Sequence, residues 1–353
     1  ELIMAYTTID KPSDYFNTVL YTGNNGSQTV TGLDFQPDWV WIKDRDGTER
    51  HCLTDSVRGV LQELRSNETA AESDRSGGTP GTGGVSAFNS NGFSLVHDDG
   101  YNDNNSLQVS WNWKAGTSFT NDASSTGIGD IDSSGSVNTD AGFSIITATS
   151  DGAADKDIAH GLGAVPDVIF AKNLVRTYNW DCYFKTLGYN ASLILNTNAA
   201  TRTGAWGSNT FTTTTFETKE DFSSKSGEAY IYYCFAEKKG YSKFGSYTGN
   251  GSTDGAFVYT GFKPAMVIYK KSSGIENWFI HDNKRQGFNP ENELLFPDLN
   301  NAEGTVNRID LLSNGFKART SDGGINGSGA TYIYMAFAEN PFVTSSGVPA
   351  CAR

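Results

Sequence analysis

One segment occurs three times in the chain, and this repeat constrains the fold more than any other feature of the sequence. Each copy has a proline, then an apolar run, then a lysine six positions after the proline, and the copies lie at residues 35–43, 164–172 and 262–270. Proline fixes its own φ and has no N–H, so it suits the start of a strand. The run is apolar at both parities, which is typical of a strand covered on both faces. The sequence therefore predicts three copies of one β-rich unit.

Positions further along the copies keep the same distance from the proline. The fourteenth position holds a ring, and the twenty-first holds arginine in two of the copies. In chain order these residues are His51, Trp180 and Trp278, then Arg58, Leu187 and Arg285. Each copy ends in an aromatic-rich strand, at residues 107–113, 229–235 and 331–337. Copies one and three also share Ser-Asn-Gly-Phe at 90–93 and 313–316, and Asn-Gly is a strong hairpin signal.

The repeat and the composition between its anchors predict the domain organisation. Residues 117–141 are rich in Ser, Thr, Asp and Gly, which is typical of a linker. The predicted segments are an N-terminal arm at 1–19, copy 1 at 20–116, the linker at 117–141, copy 2 at 142–239, copy 3 at 240–343 and a C-terminal tail at 344–353. The arm can be interpreted as packing on a neighbour, and the tail as loose.

The composition favours an all-β fold. Glycine occurs 39 times among 353 residues, aromatic residues reach 12%, and no long stretch keeps a helical period. Many short strands broken by Gly and Asn turns predict three tandem antiparallel β-sandwich domains of jelly-roll, lectin-like type. Immunoglobulin-like sandwiches are the alternative, but the copies lack the Cys…Trp…Cys spacing.

Charge and apolar runs exclude several partner classes. The net charge of −13 argues against nucleic acid, which requires a basic surface, and against anionic lipid. No stretch approaches the ~20 apolar residues of a membrane span, so membrane insertion is not expected. The four cysteines form no C-x-x-C pair, and we expect free buried thiols.

Several segments resemble a known family. Residues 243–251, 261–264, 312–316 and 332–342, with 111–119 and 165–166, resemble an uncharacterised concanavalin A-like or SPRY-like β-sandwich domain in tail-fibre and other virion proteins of marine tailed phages. The resemblance covers nearly the whole chain and implies a virion location, with synthesis in the host cytoplasm and action outside the cell. It transfers no catalytic motif, and the likeness to lectins is an analogy of fold.

Catalytic motifs are missing from the sequence. Glycosidases of the concanavalin A-like class carry Glu-x-Asp-x-x-Glu on one strand, and no such run occurs here. The sequence also has neither a Gly-x-Ser-x-Gly elbow nor a His-Glu-x-x-His pair. We therefore expect a protein that is not an enzyme and has no catalytic residues.

Two acidic loops offer the oxygen ligands that calcium prefers. One holds Asp98, Asp99 and Asp103, and the other holds Asp44, Asp46 and Glu49. The favoured interpretation of both loops is a solvated acidic turn, with calcium as the alternative. Apart from this calcium hypothesis no cofactor is expected, and the metal ligands stay unassigned.

The ring and arginine positions of the repeat are candidates for glycan binding. Sugars bind to an aromatic platform with amide or arginine side chains that fix their hydroxyls. The candidates are His51, Arg58, Asn179, Trp180, Asn277, Trp278 and Arg285. The other interpretation is packing: each tryptophan caps the sandwich, and Asp55–Arg58 and Asp282–Arg285 hold hairpins.

These observations predict a non-enzymatic phage virion protein, from a tail fibre or similar, that adheres to host cell-surface polysaccharide. Three copies or a homo-oligomer such as a trimer would strengthen weak contacts through multivalency. One alternative is a structural capsid-decoration or tail subunit that contacts other virion proteins without binding glycan. Another alternative is a polysaccharide depolymerase.

Overall fold

The computed structural model describes residues 6–77, 82–151, 155–204, 206–207, 211–219 and 225–349. The chain is all-β, with antiparallel pairing between the strands of its sheets. In the residues that the model describes, helix is confined to single turns, the 3₁₀ segments Pro12–Asp14 and Lys185–Leu187 and the α-helices α1 (Asp99–Asn102) and α2 (Ala123–Thr126). Within the described residues, no helix has the length and apolar character needed to cross a membrane.

Copy 1 folds into an inner and an outer sheet. Its strands are β1 (Phe16–Thr22), β2 (Gln28–Thr31), β3 (Trp39–Asp44), β4 (Cys52–Asp55), β5 (Gln62–Glu63), β6 (Ser73–Asp74), β7 (Gly84–Asn89), β8 (Gly92–Val96) and β9 (Leu107–Trp113). The inner sheet has the order β1-β9-β3-β4, and the outer sheet has the order β2-β8-β7. Strands β5 and β6 form a separate ribbon.

Copy 2 is preceded by two strands of the segment predicted as a linker. Together they comprise β10 (Thr117–Asn121), β11 (Ser133–Asn138), β12 (Phe143–Thr149), β13 (Lys156–Ala159), β14 (Val168–Asn173), β15 (Asp181–Phe184), β16 (Ala191–Ile194), β17 (Arg202–Thr203), β18 (Thr215–Thr218) and β19 (Ala229–Phe235). The inner sheet has eight strands in the order β10-β11-β12-β19-β14-β15-β16-β17, and β13 pairs with β18 outside it. Strands β10 and β11 thus extend this sheet, so the linker prediction for 117–141 was wrong.

Copy 3 repeats the arrangement of copy 1. Its strands are β20 (Ser242–Thr248), β21 (Phe257–Tyr259), β22 (Phe262–Lys271), β23 (Trp278–Asp282), β24 (Glu291–Leu294), β25 (Gly304–Leu312), β26 (Gly315–Ala318) and β27 (Thr331–Pro341). The inner sheet has the order β20-β27-β22-β23, and the outer sheet has the order β21-β26-β25-β24.

The register of the inner sheets follows the proline repeat. The second residue after each proline lies opposite an aromatic residue of the last strand of its copy. These pairs are Trp39 with Trp113, Val168 with Phe235 and Met266 with Phe337. All six residues of β3 and of β14 are buried, as their apolar character at both parities predicts.

The inner faces of all three copies share one hydrophobic core. Trp39 of copy 1 stacks on Tyr233 of copy 2 at 4.4 Å between ring centroids, and Phe235 meets Phe337 of copy 3 at 5.8 Å. Each copy also has a smaller core between its inner sheet and its outer strands. Equivalent side chains build these smaller cores: Val30, Val40 and Phe93, then Ile158, Ile169 and Phe216, then Val258, Val267 and Phe316.

The arm that precedes β1 packs inside the chain. Thr7 Oγ1 donates to the carbonyl of Lys239 at 2.8 Å, and Ile9 is buried in the shared core. Ser345 N donates to Asp10 Oδ1 at 2.6 Å, so the described part of the tail lies against the arm.

Cys52, Cys182 and Cys234 are free and buried, as the sequence predicts, whereas Cys351 lies outside the described residues.

Candidate functional site

The three ring residues proposed for glycan binding form a buried set of hydrogen bonds between copies. Each ring donates to a backbone carbonyl of a neighbouring copy. Trp180 Nε1 donates to Arg65 at 2.8 Å, Trp278 Nε1 donates to Ile194 at 2.9 Å, and His51 Nε2 lies 2.9 Å from the carbonyl of Phe296. The three acceptors occupy equivalent positions in their copies. Each directly follows a leucine (Leu64, Leu193 or Leu295) that pairs with the residue sixteen positions after the proline of its copy. Copy 2 therefore bonds to copy 1, copy 3 to copy 2, and copy 1 to copy 3.

Copy 1 has His51 where copies 2 and 3 have tryptophan, and the imidazole ring of His51 also donates a hydrogen bond to a carbonyl. Burial lowers the pKa of His51 to about 3, so the ring is neutral at ordinary pH. Trp41 Nε1 donates to His51 Nδ1 at 2.9 Å, which leaves the proton on Nε2. Nε2 then donates to the carbonyl of Phe296.

Burial contradicts the glycan-platform interpretation of these rings. His51, Trp180 and Trp278 are each 0% exposed, so none has a face on which a sugar could stack. Their backbone N–H groups also donate hydrogen bonds, in turn to the side-chain oxygens of Asn67, Asn196 and Asp298. The packing interpretation is the one that fits, with the difference that the rings lock neighbouring copies together and do not cap separate sandwiches.

The arginine candidates lie in buried ion pairs at the junctions between copies. Arg58 Nε donates to Asp55 at 2.5 Å, and Tyr233 of copy 2 donates to the same carboxylate at 2.7 Å. Arg285 Nε donates to Asp282 at 2.6 Å, and Trp111 of copy 1 donates to that carboxylate at 3.0 Å. The Arg58 and Arg285 side chains are 2% and 0% exposed, so a surface ligand cannot reach them.

The asparagine candidates are half-buried. Asn179 Oδ1 accepts from Asn196 Nδ2 at 2.9 Å, and Asn277 N donates to Glu276. Asn179 lines an open cleft of about 560 Å³ with Thr69 and other residues of copies 1 and 2. Of the seven candidates, these two have side chains nearest to solvent.

The repeated lysine stabilises a loop in each copy. Its ammonium donates to backbone carbonyls of the turn that follows its strand. Lys43 donates to Gly47, Lys172 to Tyr178 and Lys270 to Gly274. Burial lowers the pKa of Lys172 and of Lys270 to about 8.

In each proposed calcium loop, one buried carboxylate forms hydrogen bonds within the chain. Asp98 accepts from Arg50 at 2.7 Å and also contacts Arg75, and its carboxylate accepts from Gly100 N. Asp44 Oδ1 accepts from Asp46 N and Gly47 N, both at 3.0 Å. Across the described part of the chain, no group of three or more His, Cys, Asp or Glu side chains has a metal-binding arrangement.

An exposed pair of aromatic residues, absent from the sequence-based candidates, lies on the outer sheet of copy 3. On β21, Val258 points into the core, whereas Phe257 and Tyr259 are 47% and 53% exposed. Gly315 of β26 lies opposite Tyr259, and a Cβ there would meet the Phe257 ring at 3.2 Å. The Phe257 ring therefore lies across the sheet. We call Phe257 and Tyr259 the aromatic strip.

Polar groups border the aromatic strip. Tyr6 and Tyr259 hydroxyls are 3.3 Å apart, and Tyr6 donates to the carbonyl of Gly261 at 2.7 Å. Lys317, opposite Phe257, pairs with the exposed Asp254. The strip thus combines two ring faces with hydroxyl, ammonium and carboxylate groups.

The strip belongs to copy 3 alone among the described residues. The register fixes its equivalents, because Val30, Ile158 and Val258 pair with Phe93, Phe216 and Phe316. Copy 1 has Thr29 and Thr31 at the two flanking positions, and copy 2 has Asp157 and Ala159. The sequence signal was available: aromatic residues stand at both solvent-facing positions of a strand whose central residue is apolar.

Comparison with protein-family models matches residues 11–341 to a domain of unknown function, DUF7483. No curated protein matches the chain. The family description names neither phage nor a concanavalin A-like fold, so the resemblance to phage virion proteins stays a prediction.

Proposed function

The chain belongs to the DUF7483 family, whose function is unknown, and we propose on structural grounds that it is a non-enzymatic adhesion protein that binds glycan. The binding surface in this proposal is the aromatic strip of copy 3, in place of the buried rings of the repeat. The ligand class is a neutral polysaccharide, because the charged groups beside the strip, Lys317 and Asp254, already neutralise each other.

The observation that carries the proposal is the exposure of two aromatic rings at adjacent outward positions of one strand. An aromatic face accepts the apolar C–H face of a pyranose, and nearby polar groups bond its hydroxyls. Phe257 and Tyr259 are about half exposed on a sheet whose other copies carry threonine, aspartate or alanine there.

The biological setting of the proposal comes from the sequence resemblance. It is a marine tailed-phage virion, with a host cell-surface polysaccharide as the ligand and other virion proteins as neighbours. The assignment of each copy as a lectin-like jelly-roll sandwich domain is part of the same proposal. Its support is the pair of inner and outer β-layers in each copy.

A glycan array with the full chain, followed by titration of its best neutral polysaccharide, tests the proposal. Replacing both Phe257 and Tyr259 by alanine should weaken binding at least about tenfold, which corresponds to ~1.4 kcal/mol. The matched control is Thr29→Ala with Thr31→Ala, at the equivalent positions of copy 1. Unfolding free energies of both variants should stay within about 0.5 kcal/mol of wild type, since the side chains are exposed.

Equal loss of binding in both double variants, or no loss in either, would contradict a site at the strip. An array without any hit would contradict glycan binding altogether. Release of reducing ends from the bound polysaccharide would instead favour a depolymerase.

A structural subunit is the second candidate. The observation that favours it is the buried set of hydrogen bonds that locks the three copies into one block. Electron microscopy of the purified chain that shows a fixed ring or filament, together with an empty glycan array, would support this candidate.

A further inference from the structure

A backbone hydrogen bond recurs at the three junctions between copies. Each time, an N–H group of one copy donates to the carbonyl eight positions after the proline of the next copy. The bonds run from Glu72 to Leu174 at 3.1 Å, from Thr201 to Ser272 at 3.1 Å and from Glu303 to Arg45 at 2.6 Å. Glu303 is therefore the equivalent of Glu72, and Arg45 is the equivalent of Leu174.

At the junction between copies 3 and 1, two arginines enclose the carboxylate of Glu303. Arg285 Nη1 donates to Oε2 at 2.9 Å, and Arg45 donates to the same oxygen through Nε at 3.1 Å and to Oε1 through Nη2 at 2.7 Å. Arg45 Nη2 also lies 3.1 Å from Glu293 Oε2. The Arg45 and Glu303 side chains are each 12% exposed, so this ion pair is largely shielded from solvent.

At the junction between copies 1 and 2, only one of these two arginines has a counterpart. Arg58 Nη1 donates to Glu72 Oε1 at 3.0 Å. The counterpart of Arg45 is the apolar Leu174, and no hydrogen bond from the described residues reaches Glu72 Oε2. The Glu72 side chain is 26% exposed, against 12% for Glu303. The carboxylate of Glu72 thus lacks the second guanidinium that encloses its equivalent.

A cleft of about 460 Å³ lies beside Glu72 and Leu174 and is also lined by Arg58. Strands β11 and β12, with the residue before β11, contribute the remaining polar lining: Asp132, Ser133, Ser134, Thr147 and Thr149. The hydroxyls of Ser134 and Thr147 lie 3.2 Å apart. Among these lining residues Arg58 is the one cation, and it is already paired with Asp55. The cleft therefore offers carboxylate and hydroxyl oxygens to a ligand.

From this comparison we infer that the cleft between copies 1 and 2, which we call the junction cleft, binds an arginine side chain of a partner protein. The guanidinium of the partner donates to Glu72 Oε2, as Arg45 donates to Glu303 within the chain. A guanidinium has five N–H donors in a planar fork that fits a carboxylate, and Asp132 with the hydroxyls of the cleft provides acceptors for the others. The net charge of −13 also attracts a basic partner over long range.

The inference goes beyond glycan binding and does not depend on it. The aromatic strip lies on copy 3 and is assigned a neutral ligand, whereas the junction cleft lies between copies 1 and 2 and is assigned a cation. With both sites, one chain would link a polysaccharide to a basic protein.

Methyl NMR of the full chain tests the inference with N-acetyl-L-arginine amide, whose blocked ends resemble an arginine inside a protein. The probe should shift the methyl signals of Leu174, Thr147 and Thr149, which line the cleft. The matched probe N-acetyl-L-citrulline amide has nearly the same shape without the charge. It should bind about fivefold more weakly, which is the upper range for a partly exposed ion pair. Free L-arginine should also bind more weakly than the blocked probe, since Glu72 and Asp132 repel its carboxylate.

Two variants remove the site in different ways. Glu72→Gln takes away the charge of the carboxylate and should weaken probe binding about fivefold. Leu174→Arg supplies the guanidinium from within the chain, as Arg45 does at the other junction, and should abolish binding. The matched control is Glu68→Gln, since Glu68 also pairs with an arginine of copy 1, at 2.8 Å, but lines a different cleft. This control should bind the probe as wild type does. Circular dichroism and thermal unfolding establish that the three variants are folded.

Methyl shifts that are absent with the arginine probe, or equally large with the citrulline probe, would overturn the inference. The same conclusion would follow from equal weakening by Glu72→Gln and Glu68→Gln, or from a Leu174→Arg chain that binds the probe as tightly as wild type. Free L-arginine that binds more tightly than the blocked probe would overturn the assignment to a protein side chain.

Discussion

The junction between copies 1 and 2 and the junction between copies 2 and 3 solve the same packing problem with opposite chemistry. At the first, Asp55 and Arg58 form a buried ion pair, and the Asp55 carboxylate also accepts a hydrogen bond from the Tyr233 hydroxyl of copy 2. The equivalent residues of copy 2 are apolar, and so is the residue of copy 3 that corresponds to Tyr233. These three residues are Phe184, Leu187 and Met335. The third junction, between copies 3 and 1, is polar again, with Asp282, Arg285 and Trp111.

The difference shows that the three residues at a junction change together. Where the aspartate and arginine are present, the neighbouring copy supplies an N–H or O–H donor, and where they are replaced, it supplies methionine. A buried ion pair gains little over well-packed apolar residues of similar volume, because desolvation offsets its attraction. We therefore expect the polar junctions to contribute specificity of pairing between copies, and the apolar junction to contribute equal stability.

Breaking the polar junction should give the largest effect. Asp55→Ala removes the carboxylate from Arg58, whose side chain is 2% exposed, and from the Tyr233 hydroxyl. Removing one partner of a buried ion pair costs about 3–5 kcal/mol of unfolding free energy, and we expect the lower end of this range because Glu72 still lies 3.0 Å from Arg58. Urea unfolding of the full chain measures this loss.

The matched control is Met335→Leu at the apolar junction, which should cost less than about 1.5 kcal/mol. Comparable losses in the two variants would show that the ion pair has no special role at its junction.

A buried carboxyl group beside the third junction should make stability depend on pH. Glu291 is 1% exposed, one of its oxygens has no partner, and burial raises its pKa to about 8, with a smaller contribution from Asp282. The folded state thus holds a proton that the unfolded state releases above pH ~4.5. Its contribution to stability is complete below that pH and is lost as pH rises through about 8.

Glu291→Gln removes this titration. The unfolding free energy of the variant, relative to that of wild type, should rise by on the order of 3 kcal/mol between pH 5 and pH 9. The reason is that the folded and unfolded pKa values of Glu291 differ by several units. Taking the difference between the two proteins at each pH cancels the other titrating groups, including Lys172 and Lys270. A difference that is constant across this range would disprove the assignment.

Giving one junction the residues of the other tests whether the two junctions are equivalent. The triple variant Asp55→Phe, Arg58→Leu and Tyr233→Met gives the first junction the residues of the second. We expect it to be as stable as wild type or up to about 1–4 kcal/mol more stable. The single variant Asp55→Phe should be the less stable of the two, since it leaves the buried Arg58 with the partly exposed Glu72 as its ion-pair partner. A triple variant weaker than this single variant would contradict the equivalence of the junctions.

The sequence predicts the strands and their register well, because both depend on local patterns. Proline starts, runs that are apolar at both parities and aromatic final strands are sufficient to align the copies, as the pairs Trp39–Trp113 and Met266–Phe337 confirm. The segment 117–141 was misjudged, since a polar composition does not distinguish a linker from an edge hairpin whose outer face is solvated.

The buried rings could not be placed from sequence because the pattern of one copy does not reveal what covers it. Trp180 has the same local sequence context whether it faces solvent or the carbonyl of Arg65 in another copy. Phe257 and Tyr259 were overlooked for a different reason. They lie in a three-residue strand, so the alternation of exposed and buried positions that marks them is short and easily missed in the sequence.

The closed cycle of hydrogen bonds between copies has a consequence for synthesis of the chain. Its last member joins His51 to Phe296 across 245 residues, so the shared core stays incomplete until copy 3 leaves the ribosome. At ~5–20 residues per second, the apolar inner face of copy 1 waits roughly 10–50 s for its final neighbour. During that interval the nascent chain presents Phe16 and Trp113 without their cover from Phe337 of copy 3, and a chaperone that binds exposed apolar surface would find its target there.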